Sequence, residues 1–180
     1  MDLFAGGNPI SLQDMLDVRE KRALFQQEKL YLYQLPMLSF QCNIPGPIKM
    51  SPMIEQVFQM GVAQIMHEVG GYPILGEWVW SLATGPEYFV VIDCAPQHLK
   101  KICVQIEAQG LGRLFDMDVL MLNSEGKQQA VSRTEIGYPE RTCFVCGQPA
   151  KQCGRSRKHG LEEMTEVLNQ LVIDKFNTSF

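Results

Sequence analysis

Between Ser11 and Gln34 apolar residues recur loosely at helical spacing, through Leu12, Met15, Leu16, Val18, Leu24 and Phe25. Ser11 and Asp14 suit a helix start there, and Pro36 bars extension. "MLSFQCNI" then reads as a strand that ends at "PGP". Ser51 can cap a second helix with Pro52 in its first turn. Its apolar set, Ile54, Val57, Phe58, Val62, Ile65 and Met66, follows a period near 3.6, and Gly70 and Gly71 stop it. "ILGEWVWSLA" alternates and "EYFVVIDC" is a continuous apolar run, so two strands follow with Thr84–Pro86 as their turn. "APQHLKKICVQIEAQG" reads as a third helix and "RLFDMDVLML" as a fourth strand closed by the turn "NSEGK". "LEEMTEVLNQLVIDKF" is the last helix.

After the first helix the order is therefore β-α-β-β-α-β. Crossovers in that order predict an α+β fold: a four-stranded antiparallel sheet of split β-α-β type with both intervening helices on one face. We expect one domain over residues 1–180. It comprises an N-terminal helix in 1–35, the split core in 36–125, and a Cys/Arg-rich loop with the C-terminal helix in 126–180.

Composition narrows the function classes. An apolar fraction of 46% in 180 residues supports a real core and argues against disorder. The net charge of −4 provides no global basic field, so nucleic acid is not an expected partner. Charge is nevertheless uneven. Residues 141–159 hold Arg141, Lys151, Arg155, Arg157 and Lys158 with no carboxylate, leaving −9 on the rest of the chain. A concentrated positive segment on an acidic body points to a specific anion. The start lacks a cationic leader followed by a long apolar run, and no uncharged apolar stretch reaches membrane-spanning length. A cytoplasmic location with no membrane contact is the expectation. In that compartment cysteines stay reduced or hold metal, and the isolated Cys42, Cys94 and Cys103 read as small buried hydrophobes.

Four stretches carry candidate chemistry. In "GRLFDMDV", Asp116 and Asp118 stand two apart on a strand and so point to one face. Two converging carboxylates raise each other's pKa unless a cation lies between them, and a hard ion such as Mg²⁺ suits such oxygens. A solvated polar strand face is the alternative. Arg113 upstream offers a phosphate partner or a plain salt bridge. In "PGPIKMSP", Gly46 permits close backbone approach, the following helix start offers free N–H groups, and Lys49 lies beside it. Arg19 and Arg22 share a face of the first helix, as phosphate ligands or as a solvated surface.

The fourth stretch is "CFVCGQPAKQCGRSRKH". Cys143, Cys146, Cys153 and His159 supply three thiolates and an imidazole, a set tetrahedral Zn²⁺ accepts. Packed structural thiols and a redox CxxC pair remain open as alternatives, the latter disfavoured by Pro139 and the Gly147–Pro149 turn. No GxxxxGK[ST] or GxSxG sequence occurs.

"PGPIK", "LGRLFDMDVL" and the run from Arg141 to His159, in this order and spacing, resemble the citrate lyase holo-acyl-carrier-protein synthases, the apo-citrate lyase phosphoribosyl-dephospho-CoA transferases. The likeness spans Ser11 to Phe176 and includes Arg19 and Arg22. Gly154 stands where an alanine is common. The resemblance implies a nucleotidyltransferase-type reaction. Its donor would be 2′-(5″-triphosphoribosyl)-3′-dephospho-CoA, its acceptor a serine on the acyl carrier (gamma) subunit of citrate lyase, and its by-product pyrophosphate. On that footing Asp116 and Asp118 hold Mg²⁺ and one of them accepts the serine proton. Arg19, Arg22, Lys49, Arg113, Arg155 and Arg157 neutralise phosphate. His159 is a phosphate donor or a metal ligand. The rival reading is a zinc-binding adaptor without catalytic activity. A second competitor is the counterpart enzyme of malonate decarboxylase, which the Cys-rich tail fits less well.

Overall fold

The computed structural model describes residues 2–177, so the outermost positions of the 1–180 expectation lie outside the described residues. Helix α1 runs Leu12–Tyr33, strand β1 Met37–Cys42, helix α2 Pro52–Val69, strands β2 Ile74–Leu82 and β3 Gly85–Ile92, and helix α3 Pro96–Glu107. Strands β4, Phe115–Leu122, and β5, Gln128–Ala130, follow, then helices α4, Ala150–Ser156, and α5, Leu161–Asn177. A capping box opens α1: the Asp14 N–H donates to Ser11 Oγ at 3.1 Å and the Ser11 N–H donates to the Asp14 carboxylate at 3.0 Å. Ser51 Oγ caps α2 by accepting from the Ile54 N–H at 3.0 Å.

The sheet is antiparallel throughout, in the order β2-β3-β1-β4-β5. It therefore has five strands where the polar–apolar pattern predicts four. The addition is β5, whose "QQA" is exposed and carries no apolar signal; it pairs Gln128–Ala130 with Leu120–Leu122. Helix α4 is likewise unforeseen.

Alternation along each strand divides the side chains between two layers. Leu38, Phe40, Tyr88, Val90, Phe115, Met117 and Val119 join α2, α3 and α5 in the main core. Phe40 is central, with its ring 5.1 Å from those of Phe58 and Phe115. The opposite face carries Met37, Phe89, Val91 and Leu120 and is covered by α1 through Leu30, Phe25 and Tyr33. Both crossover helices thus share one face, as expected, and α1 roofs the other.

The roof differs from the expected pattern in which side chains it uses. Leu12, Leu16 and Leu24 are exposed, whereas α1 buries Val18, Gln26 and Leu30. The reason lies beneath it. On this face the sheet presents polar residues at one end, and α1 answers with polar residues: Gln26 Nε2 donates to Ser39 Oγ at 3.0 Å, and Arg22 forks onto Glu87 at 2.6 and 2.8 Å. Helix and sheet normally meet through apolar surface. The polar patch in that layer is held by its own hydrogen bonds and ion pair. Among the described residues no helix is long and apolar enough to cross a membrane.

Candidate functional site

Strand register builds the patch. Gln41 on β1 lies opposite Glu87 on β3 and Asp116 on β4, while Ser39 lies opposite Phe89 and Asp118. Period-two geometry puts these side chains on the α1 face. The result is a row Glu87–Gln41–Asp116, with Asp118 one step along β4. Gln41 Nε2 reaches toward the Asp116 carboxylate at 3.4 Å.

A cavity of about 170 Å³ opens over this row, lined by Arg19 and Arg22 from α1, Gln41 and Asn43 from and after β1, Lys49, and Asp116. Lys49 Nζ donates to the Ile44 carbonyl. Burial, and then the charge of Arg19, hold the Lys49 pKa below its ordinary value. Burial disfavours the charged ammonium, and a second cation nearby adds to the effect. The β2–β3 turn comes so close that a Cβ on Gly85, at φ +110°, would lie 3.3 Å from the Lys49 carbonyl. The Cys42 thiol beside the cavity is pushed up to about 12 by burial and then by Glu55, so it stays protonated at neutral pH.

Asp116 also lines a second cleft, of about 340 Å³, shared with Asp118, Lys100, Arg133 and Arg141. Arg141 Nη1 lies 3.7 Å from Asp116 and 3.9 Å from Glu107, and its Nη2 donates to the Arg113 carbonyl at 2.6 Å. Glu107, buried on α3, accepts from Arg133 and from the Met117 N–H at 2.9 Å. Buried Lys100 donates to the Met117 carbonyl at 2.7 Å. Two side chains of α3 thus take the hydrogen bonds a neighbouring strand would make where β5 does not reach.

Asp118 keeps solvent contact, yet the protein packed around it raises its pKa, and the Asp116 carboxylate raises it further. The folded chain holds this proton over a range where the unfolded chain has released it, so stability is lost as pH rises through that window. In metal-free buffer Asp118→Asn is expected to melt higher at pH 7 by up to about 2 °C, since solvent screens the group. The difference should vanish in acid; a lower melting point at pH 7 contradicts the assignment.

The cysteine segment forms a third unit. Sulfurs of Cys143, Cys146 and Cys153 and a ring nitrogen of His159 lie within 4.8 Å of one another. Tetrahedral Zn–S bonds of about 2.3 Å place sulfurs about 3.8 Å apart, and Cys146 and Cys153 lie at 3.5 Å. The His159 Nε2 is buried and has no hydrogen-bond partner, while its Nδ1 is 3.0 Å from Glu163. A carboxylate behind the imidazole and an orphaned nitrogen in front are the arrangement of a metal-ligating histidine. The Gln148 N–H, followed by His159, brings the Cys146 thiol down to about 6, and burial raises Cys153. The Cys₃His set therefore fits a metal ion such as zinc.

The structure gathers Arg19, Arg22, Lys49 and Asp116 around one cavity and sets Asp118 in the adjoining cleft. Arg157 and His159 line a further cavity beside the cysteines. Arg113 stands apart, donating to the Thr142 carbonyl at 2.9 Å, and Arg155 is exposed on α4. Gly46, at φ +80°, makes its close approach to Leu161 of α5, 2.9 Å from where a Cβ would sit. The start of α2, Ser51 and Pro52, opens onto a wider groove of about 900 Å³ walled by Asp14, Asp17 and Glu55, not onto the Lys49 cavity. Gln41, Glu87, Lys100, Glu107, Arg133 and Arg141 are site residues that the spacing of motifs does not single out. Arg141 alone carried a signal, since it heads the Cys-rich run.

Residues 10–175 match the family described as apo-citrate lyase phosphoribosyl-dephospho-CoA transferase. The chain is 39% identical to a probable apo-citrate lyase phosphoribosyl-dephospho-CoA transferase of Streptococcus pyogenes serotype M18, over 98% of this chain and 92% of the relative. It is 32% identical to the apo-citrate lyase phosphoribosyl-dephospho-CoA transferase of Citrobacter koseri, over 92% and 90%. Protein CitXG of Leuconostoc mesenteroides is 33% identical over 96% of this chain, which spans 37% of that longer relative.

Proposed function

The chain belongs to the apo-citrate lyase phosphoribosyl-dephospho-CoA transferase family, and from this premise we propose that it is a nucleotidyltransferase that loads the prosthetic group onto the acyl carrier (gamma) subunit of citrate lyase. The donor is 2′-(5″-triphosphoribosyl)-3′-dephospho-CoA. A serine oxygen of the carrier forms the new bond to the α-phosphorus, the bond to the β-phosphate breaks, and pyrophosphate leaves.

One observation supports this reading above the others: Asp116 stands where a cationic cavity and an acid–base cleft meet. Arg19, Arg22 and Lys49 suit the two phosphates that depart, because negative charge builds on them as the bond breaks. Arg22 is already fixed by Glu87, so its position is set before substrate arrives. Asp116 or Asp118 takes the serine proton. The two carboxylates are also the hard oxygen donors Mg²⁺ prefers, and their mutual repulsion is what such an ion relieves. When bound, Mg²⁺ supplies charge neutralisation on the phosphates. The nucleophile belongs to the partner, consistent with a site whose own Cys42 is held protonated.

Zinc on Cys143, Cys146, Cys153 and His159 has a structural part in this reading. The four ligands close the segment that carries Arg141, and Arg141 reaches Asp116. Incubation with apo-carrier, donor and Mg²⁺ should add the mass of the prosthetic group to the carrier and release one pyrophosphate per carrier. A carrier of unchanged mass, with one zinc per chain, would favour the adaptor reading.

A further inference from the structure

The cavity beside the cysteine cluster has dimensions and chemistry of its own. It measures about 380 Å³ and its floor includes Phe144, Met164 and Pro45. That size and apolar character match a small-molecule site. Two of its polar lining residues are shared with neighbouring spaces. Asn43 is shared with the cationic cavity and Arg141 with the Asp116 cleft, so the three spaces meet around the proposed reacting centre. A phosphorus under transfer also has three arms: the leaving pyrophosphate, the incoming serine and the nucleoside-bearing remainder. Arg19, Arg22 and Lys49 suit the first of these.

The geometry points to the Phe144–Met164 cavity as the seat of the adenine nucleoside of the donor. This inference rests on the transfer activity proposed above. A purine needs an apolar slot with an aromatic or guanidinium plane against its face, and Phe144 and Arg157 provide both kinds. Arg157 closes helix α4 as its left-handed cap, φ 47°, and lines the cavity from there. The wider groove by α1 is the poorer candidate because Asp14, Asp17 and Glu55 outnumber its one cation, Lys21, and oppose the phosphates that flank the nucleoside. Cys143, Cys153 and His159 form part of the cavity wall, so the metal cluster would hold the nucleoside site in shape.

Gly154 gives a direct test. It lines the cavity, and a Cβ built on it meets nothing within 4 Å. Gly154→Leu therefore adds apolar bulk to the cavity wall from a position open at Cβ, on a helix that leucine favours over glycine. Titration calorimetry with 3′-dephospho-CoA should show at least about 10-fold weaker binding for Gly154→Leu and for Phe144→Ala. Pyrophosphate binding should stay within about 2-fold of the parent. Circular dichroism and zinc content verify that both variants keep the fold. Undiminished dephospho-CoA binding in both, from a parent that transfers the group, overturns the cavity assignment alone. A parent that neither transfers the group nor binds dephospho-CoA overturns the activity as well.

Discussion

Asp116→Asn should cut transfer by on the order of 10²–10³-fold in kcat, with the fold and the donor KM nearly unchanged. The substitution keeps shape and can still accept from Gln41, whose amide lies 3.4 Å away. It removes the negative charge that faces Arg141 at 3.7 Å and the hard oxygen shared by the two clefts. Because Arg19, Arg22 and Lys49 remain, polyphosphate should still bind. Steady-state kinetics with mass spectrometry of the carrier separates the two effects. Near-normal kcat in this variant would remove Asp116 from the chemistry and, with it, the convergence on which the proposal stands.

The second large effect concerns the metal. Loss of one of four ligands leaves zinc a weak three-coordinate site, and structural zinc contributes roughly 10 kcal/mol or more to the segment it folds. Cys146→Ser should therefore lower zinc from about one per chain toward zero and expose residues 141–160 to protease. Transfer should fall at least about 100-fold because Arg141 leaves Asp116. The sheet core should survive, since Phe40, Phe58 and Phe115 pack independently of the cluster. Glu163→Gln, which weakens the support behind His159, should reduce zinc affinity by about 10-fold or more with a smaller loss of rate. A metal-free Cys146→Ser protein with full activity would show that the cysteines only pack.

These effects depend on elements of very unequal visibility in the amino-acid order. Helix α2 and strands β1 and β3 declare themselves because burial on one or both faces leaves a clear period. Strand β5 leaves none, since all three of its residues are exposed and its pairing is made by backbone. The aspartate pair could be placed on a common face by counting alone. That Gln41 and Glu87 would stand beside them could not, because the row is assembled by register between strands distant in sequence. Lys100 and Glu107 look like the solvated side of an amphipathic helix. In the fold both are buried past the end of β5, where each pairs with Met117 backbone. Arg22 was legible as a cation but not as the partner of Glu87.

That substitution of side chains for a strand has a bearing on how the carrier is met. With the amide and carbonyl of Met117 already satisfied from α3, an incoming polypeptide finds no main-chain template beside the aspartates and cannot zip onto this border as an extra ribbon. On the proposed reading, a carrier serine would reach the aspartates from outside the sheet and not as an added strand, so partner choice would rest on contour and charge at the rim.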